Sequence, residues 1–114
     1  MSEIDIQRDI LMSIGMYPQL KAFRMNNAAI YDAKRGCYRS PGPWFPKGLP
    51  DIMILSDIGI SWLEVKQPGK DQSDDQIDFQ STCDKYHIKY AVVTSPAEAR
   101  EFLRFWGVIG GELI

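Results

Sequence analysis

One histidine (His87) and two cysteines (Cys37 and Cys83) are all that 114 residues supply in imidazole and thiol. That is too few, and without the spacing, for a recognisable zinc centre. Two free thiols in a reducing compartment is the plain reading of the pair, with a Cys37–Cys83 disulfide as the alternative. No apolar run approaches the ~18–20 residues a membrane helix needs, so no span is expected. Ser2, Glu3 and Asp5 put polar and acidic groups where a secretory leader would be basic and then apolar, so no leader is expected either. Repeats, low-complexity tracts and linkers are absent. No glycine-rich phosphate cradle appears, which weighs against a nucleotide-binding protein. Excess positive charge is missing too: the net charge is −2 and the pI about 5.3, which by itself argues against a nucleic-acid partner.

What is present is the balance of a globular chain, 45% hydrophobic and 25% charged. The length suits one domain over residues 1–114, with one sheet and a few helices. A core that small leaves apolar surface for partner chains to cover. The charge is unevenly spread. Residues 21–47 hold Lys21, Arg24, Lys34, Arg35, Arg39 and Lys47 against Asp32 alone, while the flanking segments are acidic. On charge alone this is a solvated loop first, and a phosphate-binding lip beside an acidic pocket second.

Ser2 with Asp5 reads as a capping box that opens a helix carrying Ile6, Ile10, Leu11 and Ile14 on one face, ended by Gly15 and Pro18. Residues 21–26 form a strand candidate and 29–32 a second. The run 36–46, rich in Gly, Pro, Tyr and Trp, reads as a long surface loop. Residues 52–55 and 60–66 are strands joined by a turn at 56–59. Ser73 opens a second helix, with Ile77, Phe79, Thr82 and Cys83 as candidates for its buried side. Residues 89–94 form another strand. Ser95-Pro96-Ala97-Glu98 starts a last helix, stopped by Gly107. The fold class is α/β: a mixed sheet of about four strands flanked by helices, the last strand parallel to a hairpin strand through a helical crossover.

The chemistry concentrates in the hairpin. Alternation along a strand puts Glu64 and Lys66 on one face and Val65 on the other. A tight turn that pairs Ser56 with Gly59 sets Asp51 opposite Glu64, five residues out on each arm. A bulge at Gly59 would shift that register by one. Two carboxylates so close repel unless a cation lies between them, and hard oxygen donors suit Mg²⁺ or Mn²⁺. The Val65 carbonyl is a candidate third oxygen ligand. Lys66 stands beside the pair as a cation for a water or a phosphate.

Pro50-Asp51 followed by Glu64-Val65-Lys66 resembles the PD-(D/E)XK nuclease signature. Gly48-Leu49-Pro50-Asp51, Leu63-Glu64-Val65-Lys66, Ser73-Asp74-Asp75-Gln76, the Glu3–Gln7 segment, Arg24-Met25-Asn26 and Val92-Val93-Thr94-Ser95 together resemble the VRR-NUC (virus-type replication-repair nuclease) branch over about residues 3 to 103. The resemblance implies a restriction-endonuclease-like core of helix, three strands, helix and strand. It also implies a divalent metal and hydrolysis of DNA phosphodiesters to 5′-phosphate and 3′-hydroxyl ends, inside a bacterial or phage-infected cell. Asp51, Glu64 and Lys66 match the catalytic core. Gln76 matches the polar residue that contacts the site, and Glu3 the first-helix acid that assists the metal, with Asp5 close by as its competitor.

The small free-standing members resemble Holliday-junction resolvases, which implies branched DNA as substrate and a homodimer. The alternatives are a flap or restriction-type DNase on the same core, or a catalytically idle DNA-binding module. Basic residues of the 21–47 segment (Arg24, Lys34, Arg35, Arg39 and Lys47) are the candidate phosphate contacts. Tyr38, Trp44 and Phe45 read as loop packing or a dimer contact before base stacking. His87 reads as a helix-end histidine, and Phe102 and Trp106 as core or interface.

Overall fold

The structure, a computed structural model, describes residues 1–25, 30–39, 44 and 47–110, and the side chains of these except 30–32 and 37–39. Its elements are α1 (Glu3–Ile14), β1 (Leu20–Arg24), β2 (Ile30–Asp32), β3 (Cys37–Arg39), β4 (Ile52–Ser56), β5 (Gly59–Val65), α2 (Asp74–Lys85), β6 (Lys89–Val93) and α3 (Pro96–Trp106). The main sheet runs β1-β4-β5-β6, with β1 and β5 antiparallel to β4 and β6 parallel to β5. This is the expected α/β class with a mixed four-stranded sheet. Setting β2 and β3 aside, the order helix, three strands, helix, strand is also as expected.

Each helix begins where the sequence marks a cap. The Ser2 hydroxyl accepts from the Asp5 N–H at 3.2 Å, and the Asp5 carboxylate accepts from the Ser2 N–H at 3.4 Å. Ser73 and Gln76 make the same reciprocal pair at α2. Pro96 takes the first turn of α3, and Gly107 closes that helix at φ +81°, the left-handed conformation glycine adopts without strain.

The sheet has two covered faces. On the first, Ile52, Ile54, Leu63, Val65, Ala91 and Val93 pack under Ile6, Ile10 and Ile14 of α1 and Ala99 and Leu103 of α3. The Ile, Leu and Val chains among them are essentially water-free, and each contributes about 1.5–3 kcal/mol by leaving solvent. On the second face, Leu49, Trp62 and Cys83 form a smaller cluster with Met25, Met53, Phe79 and Tyr90. Trp62 meets Phe79 edge-on, with ring centroids 5.6 Å apart. Glu64, one of the candidate site residues, sits at one end of this second face.

Two expectations need correction. Residues 37–39, read as part of a loop, are β3, which pairs with β2 as a separate two-stranded sheet; the turn between them contains Gly36 at φ +64°. Three residues are too few for alternation to register against glycine and proline neighbours. In α2, Ile77 and Thr82 are exposed, and of the four candidates only Cys83 is fully buried, with Phe79 half-buried. The second cluster is too small to cover more of that helix. Cys83 is a free thiol. His87 follows α2 at φ +60°, as a helix-end residue. Among the described residues, no helix is long and apolar enough to cross a membrane.

Candidate active site

The β4–β5 hairpin holds the unbulged register, with Ser56 across from Gly59 and Ile52 across from Leu63. Asp51, one residue before β4, therefore arrives opposite Glu64. Its main-chain carbonyl accepts from the Met25 N–H at 2.8 Å, which ties it to the β1 side. Its Oδ2 accepts from the Val65 N–H at 2.8 Å, continuing the ladder where the β4 main chain ends. A residue's N–H and C=O point the same way along a strand, so the Val65 carbonyl also faces the Asp51 side of β5.

Glu64 is 1% exposed. Its Oε2 accepts from the Gln76 amide at 2.9 Å and lies 3.7 Å from the Lys66 ammonium, which is itself largely buried. Gln76 cannot turn round. Its Oε1 accepts from the Ser73 N–H at 2.8 Å as half of the α2 cap, which leaves its NH₂ aimed at Glu64. The other Glu64 oxygen, Oε1, is buried without a donor.

That orphaned oxygen and the pair's acidity have one cause. Burial pushes Glu64 up to about 8, and the charge of Asp51 and the hydrogen bond between the two carboxyls push the same way, against Lys66. Asp51 is also raised, by burial first, with the Val65 N–H opposing. In the metal-free protein near neutrality the pair therefore holds on to a proton that two ordinary carboxyls would have lost.

The consequence for stability is a slope. The native pair binds more protons than the unfolded chain between the ordinary carboxylate range and about pH 8. Without a divalent cation, stability should therefore fall as pH rises through that window and level off above it. Chemical denaturation in EDTA at a series of pH values measures this. A contribution that instead grows from pH 5 to 8 would contradict the shared proton.

Glu3 and Asp5 separate cleanly. The Asp5 carboxylate is spent on the α1 cap, which holds its acidity below the ordinary value. The charge of Glu3 is the one that acts on both Asp51 and Glu64. The Gln67 side chain donates to the Met1 carbonyl at 2.8 Å, bringing the start of α1 to the end of β5.

The described basic residues sit in three separate segments. Lys47 is exposed in the turn leading to Asp51. Lys34 and Arg35 are exposed in the β2–β3 turn, and each makes an interaction of its own. Arg24 pairs across from Ile52, so its exposed side chain is on the first face, not the face of the carboxylates. The side chain of Arg39 lies outside the described residues, as does Asn26.

Tyr90 is an addition to the expected site. In the parallel register it lies beside Trp62, on the face of Glu64, and its phenol accepts from the Gln72 amide at 3.0 Å. Burial, and then the Glu64 charge, push that phenol far above its usual range. In sequence it was hidden in the apolar run Tyr90–Val93. The one signal was alternation, which places residues 90 and 92 on the face opposite Ala91 and Val93.

No family model, curated protein or solved structure matches this chain. The site is therefore read from its own chemistry. Among the described residues, no three His, Cys, Asp or Glu side chains lie close enough to form a metal cage. Two carboxylates, one with an oxygen lacking a donor, and a strand-end carbonyl are the groups that could hold a cation, and they would suit one that keeps several waters rather than one that needs an all-protein cage.

Proposed function

We propose that this chain is a Mg²⁺- or Mn²⁺-dependent DNA endonuclease that hydrolyses phosphodiester bonds, with Asp51, Glu64 and Lys66 at its centre. The observation that carries the reading is the burial of Glu64 against Asp51 with a lysine 3.7 Å away. A structural role accounts poorly for it. Two buried acids that must share a proton are costly in a fold of this size, and apolar residues would fill the same space at lower cost.

Asp51 and Glu64, with the Val65 carbonyl, are the residues that would hold the cation, and Glu3 adds negative charge behind them. What such an ion supplies when bound is Lewis acidity toward a water and a phosphoryl oxygen. With a cation held there, Glu64 would be kept as the carboxylate, its proton passing to solvent, and Gln76 keeps that side chain aimed. The Val65 N–H fixes the Asp51 carboxylate. Lys66 presents a fixed positive charge to the phosphate and to the negative charge that develops during attack. Breaking the P–O3′ bond leaves 5′-phosphate and 3′-hydroxyl ends. Lys47 is the basic residue nearest in the chain to Asp51 and the first candidate for the substrate backbone.

Within this class, structure-selective cutting of branched DNA by a homodimer is the first choice. It rests on the VRR-NUC resemblance and on the ability of two symmetric sites to nick two symmetric strands.

The test is cleavage of labelled four-way junctions, flaps, plain duplex and single strands in Mg²⁺ and in Mn²⁺. Paired symmetric nicks confined to the junction are expected. Cutting of flaps or duplex keeps the active site and removes the resolvase assignment. No cutting of any substrate in either metal points to an idle binding module and overturns the enzyme reading.

A further inference from the structure

The strand β6 forms an outer edge of the main sheet and pairs only with β5 among the described residues. Lys66 N–H donates to the Val93 carbonyl at 3.0 Å, so Val93 turns its main chain toward β5, and by alternation so does Ala91. Tyr90 and Val92 turn theirs outward, and no main-chain partner meets them there among the described residues. The edge is apolar, has no proline and carries one lysine, Lys89, at its end. Lone edges of this kind are templates for another strand. A groove of about 270 Å³, lined by Asp84, His87, Ile88, Lys89, Tyr90 and Trp106, runs beside it.

The helix flanking this edge carries two exposed phenylalanines on the side away from α1. Arg100 of α3 reaches Ser13 of α1, which fixes the side of α3 that faces α1. At 100° per residue, Phe102 and Phe105 fall on the opposite side, in one line with Glu98. Phe105 is 86% exposed and Phe102 is 37% exposed, the latter leaning on Trp106 with ring centroids 5.6 Å apart.

We propose that a second copy of this chain docks on the β6 edge, in antiparallel two-fold pairing centred on Ala91, with the Phe102–Phe105 stripes of the two α3 helices meeting beside it. The surface is complementary to itself. About that axis, Tyr90 of one copy faces Val92 of the other, and the outward N–H and C=O groups of both are satisfied reciprocally. The helix α3 follows β6 directly and runs back along it, so its midpoint near Phe102 lies level with Ala91. The two-fold then sets Phe102 against Phe102. It also brings Glu98, in the first turn of α3, to the end of the partner strand that carries the exposed Lys89, on the same face of the sheet. The opposite charges meet in both copies. The pairing rests on the homodimer named in the proposed function and gives it an interface; it uses none of Asp51, Glu64, Lys66 or Gln76, so if it fails, the cleavage assay still decides the nuclease reading.

Sedimentation equilibrium of the full chain across a concentration series tests it. The expected mass is twice 13.0 kDa. Phe105→Glu should weaken the dimer by at least about a hundredfold in Kd, because it removes an aromatic anchor and places a like charge in both copies. Phe105 is too exposed for this change to disturb folding. Val92→Pro removes an outward N–H that the β5 ladder does not use, and should weaken the dimer by at least about tenfold. Met16→Glu, at the exposed end of α1 away from this edge, should leave the dimer intact and serves as the control. A chain that is monomeric throughout overturns the proposal, as does a dimer that keeps its wild-type affinity with Phe105→Glu. A dimer sensitive to Phe105→Glu but not to Val92→Pro removes the strand pairing and overturns it in that form.

Discussion

Glu64→Gln is expected to abolish cleavage while leaving the protein as stable as wild type or more so. The two effects come from one geometry. In the metal-free protein Glu64 carries a proton near neutrality, because burial and Asp51 hold it at about 8. Glutamine has the same shape, and its NH₂ is a permanent donor where the shared proton was. Its carbonyl can accept from the Gln76 amide as Glu64 Oε2 does now. The charge that must appear above pH 8 is gone, and one amide N–H can be offered to Asp51.

The pH slope of stability should therefore flatten. A shift from 4.5 to about 8 corresponds to something on the order of 5 kcal/mol across the window, so the change is well within reach of denaturant titration. On the proposed function, cation affinity and cleavage would depend on the negative charge that the amide lacks. The cleavage rate should fall by at least about a thousandfold, the scale seen when a charged or donor group at a reacting centre is removed. Cutting within tenfold of wild type would remove Glu64 from the site. Loss of fold in Glu64→Gln would show that the charged form, not the neutral one, is native.

Gly48→Ala should be among the most destabilising single-methyl changes in this chain. Gly48 sits at φ +73°, where an L side chain is already strained by about 1 kcal/mol. A Cβ there would also collide with the Asp75 carbonyl and lie 2.7 Å from the Gln76 main-chain nitrogen. Both are backbone atoms of the first turn of α2, which cannot swing aside as a side chain does.

The loop from 47 to 51 would have to move off α2 or the helix off the sheet. Either movement opens the second cluster at Leu49 and separates Gln76 from Glu64. A loss of about 3 kcal/mol or more is expected, which for a chain of this length lowers Tm by roughly 10 °C or more. A thermal melt measures it, and a Tm within about 2 °C of wild type would show that the close approach is not structural. Activity should fall with stability, because the same contact aims Gln76.

Much of this arrangement could be read before any coordinates. The register of the β4–β5 hairpin follows from the placement of one turn, and Asp51 opposite Glu64 follows from the register. Alternation is a local property of a strand, so Lys66 on the Glu64 face was equally legible. The caps at Ser2, Ser73 and Ser95 were legible for the same reason, since each is decided within four residues. The short strand β3 was not, because three residues carry too little periodicity to outweigh their neighbours.

The sequence by itself determined the local matters: where helices start and stop, which strand residues share a face, and which two acids meet across the hairpin. Only the tertiary structure decided the rest. It put Arg24 on the wrong face for the carboxylates and gave Asp5 to a cap while leaving Glu3 to act on the site. It brought Gln76 and Tyr90 to Glu64 from elements twelve and more residues away, and left the β6 edge open beside two exposed phenylalanines. The division has a physical reason. Register and capping are set by bonds between near neighbours in the chain. Burial, and with it the shared proton of Asp51 and Glu64, depends on which distant segments pack over a residue, and pattern along the chain does not encode that packing.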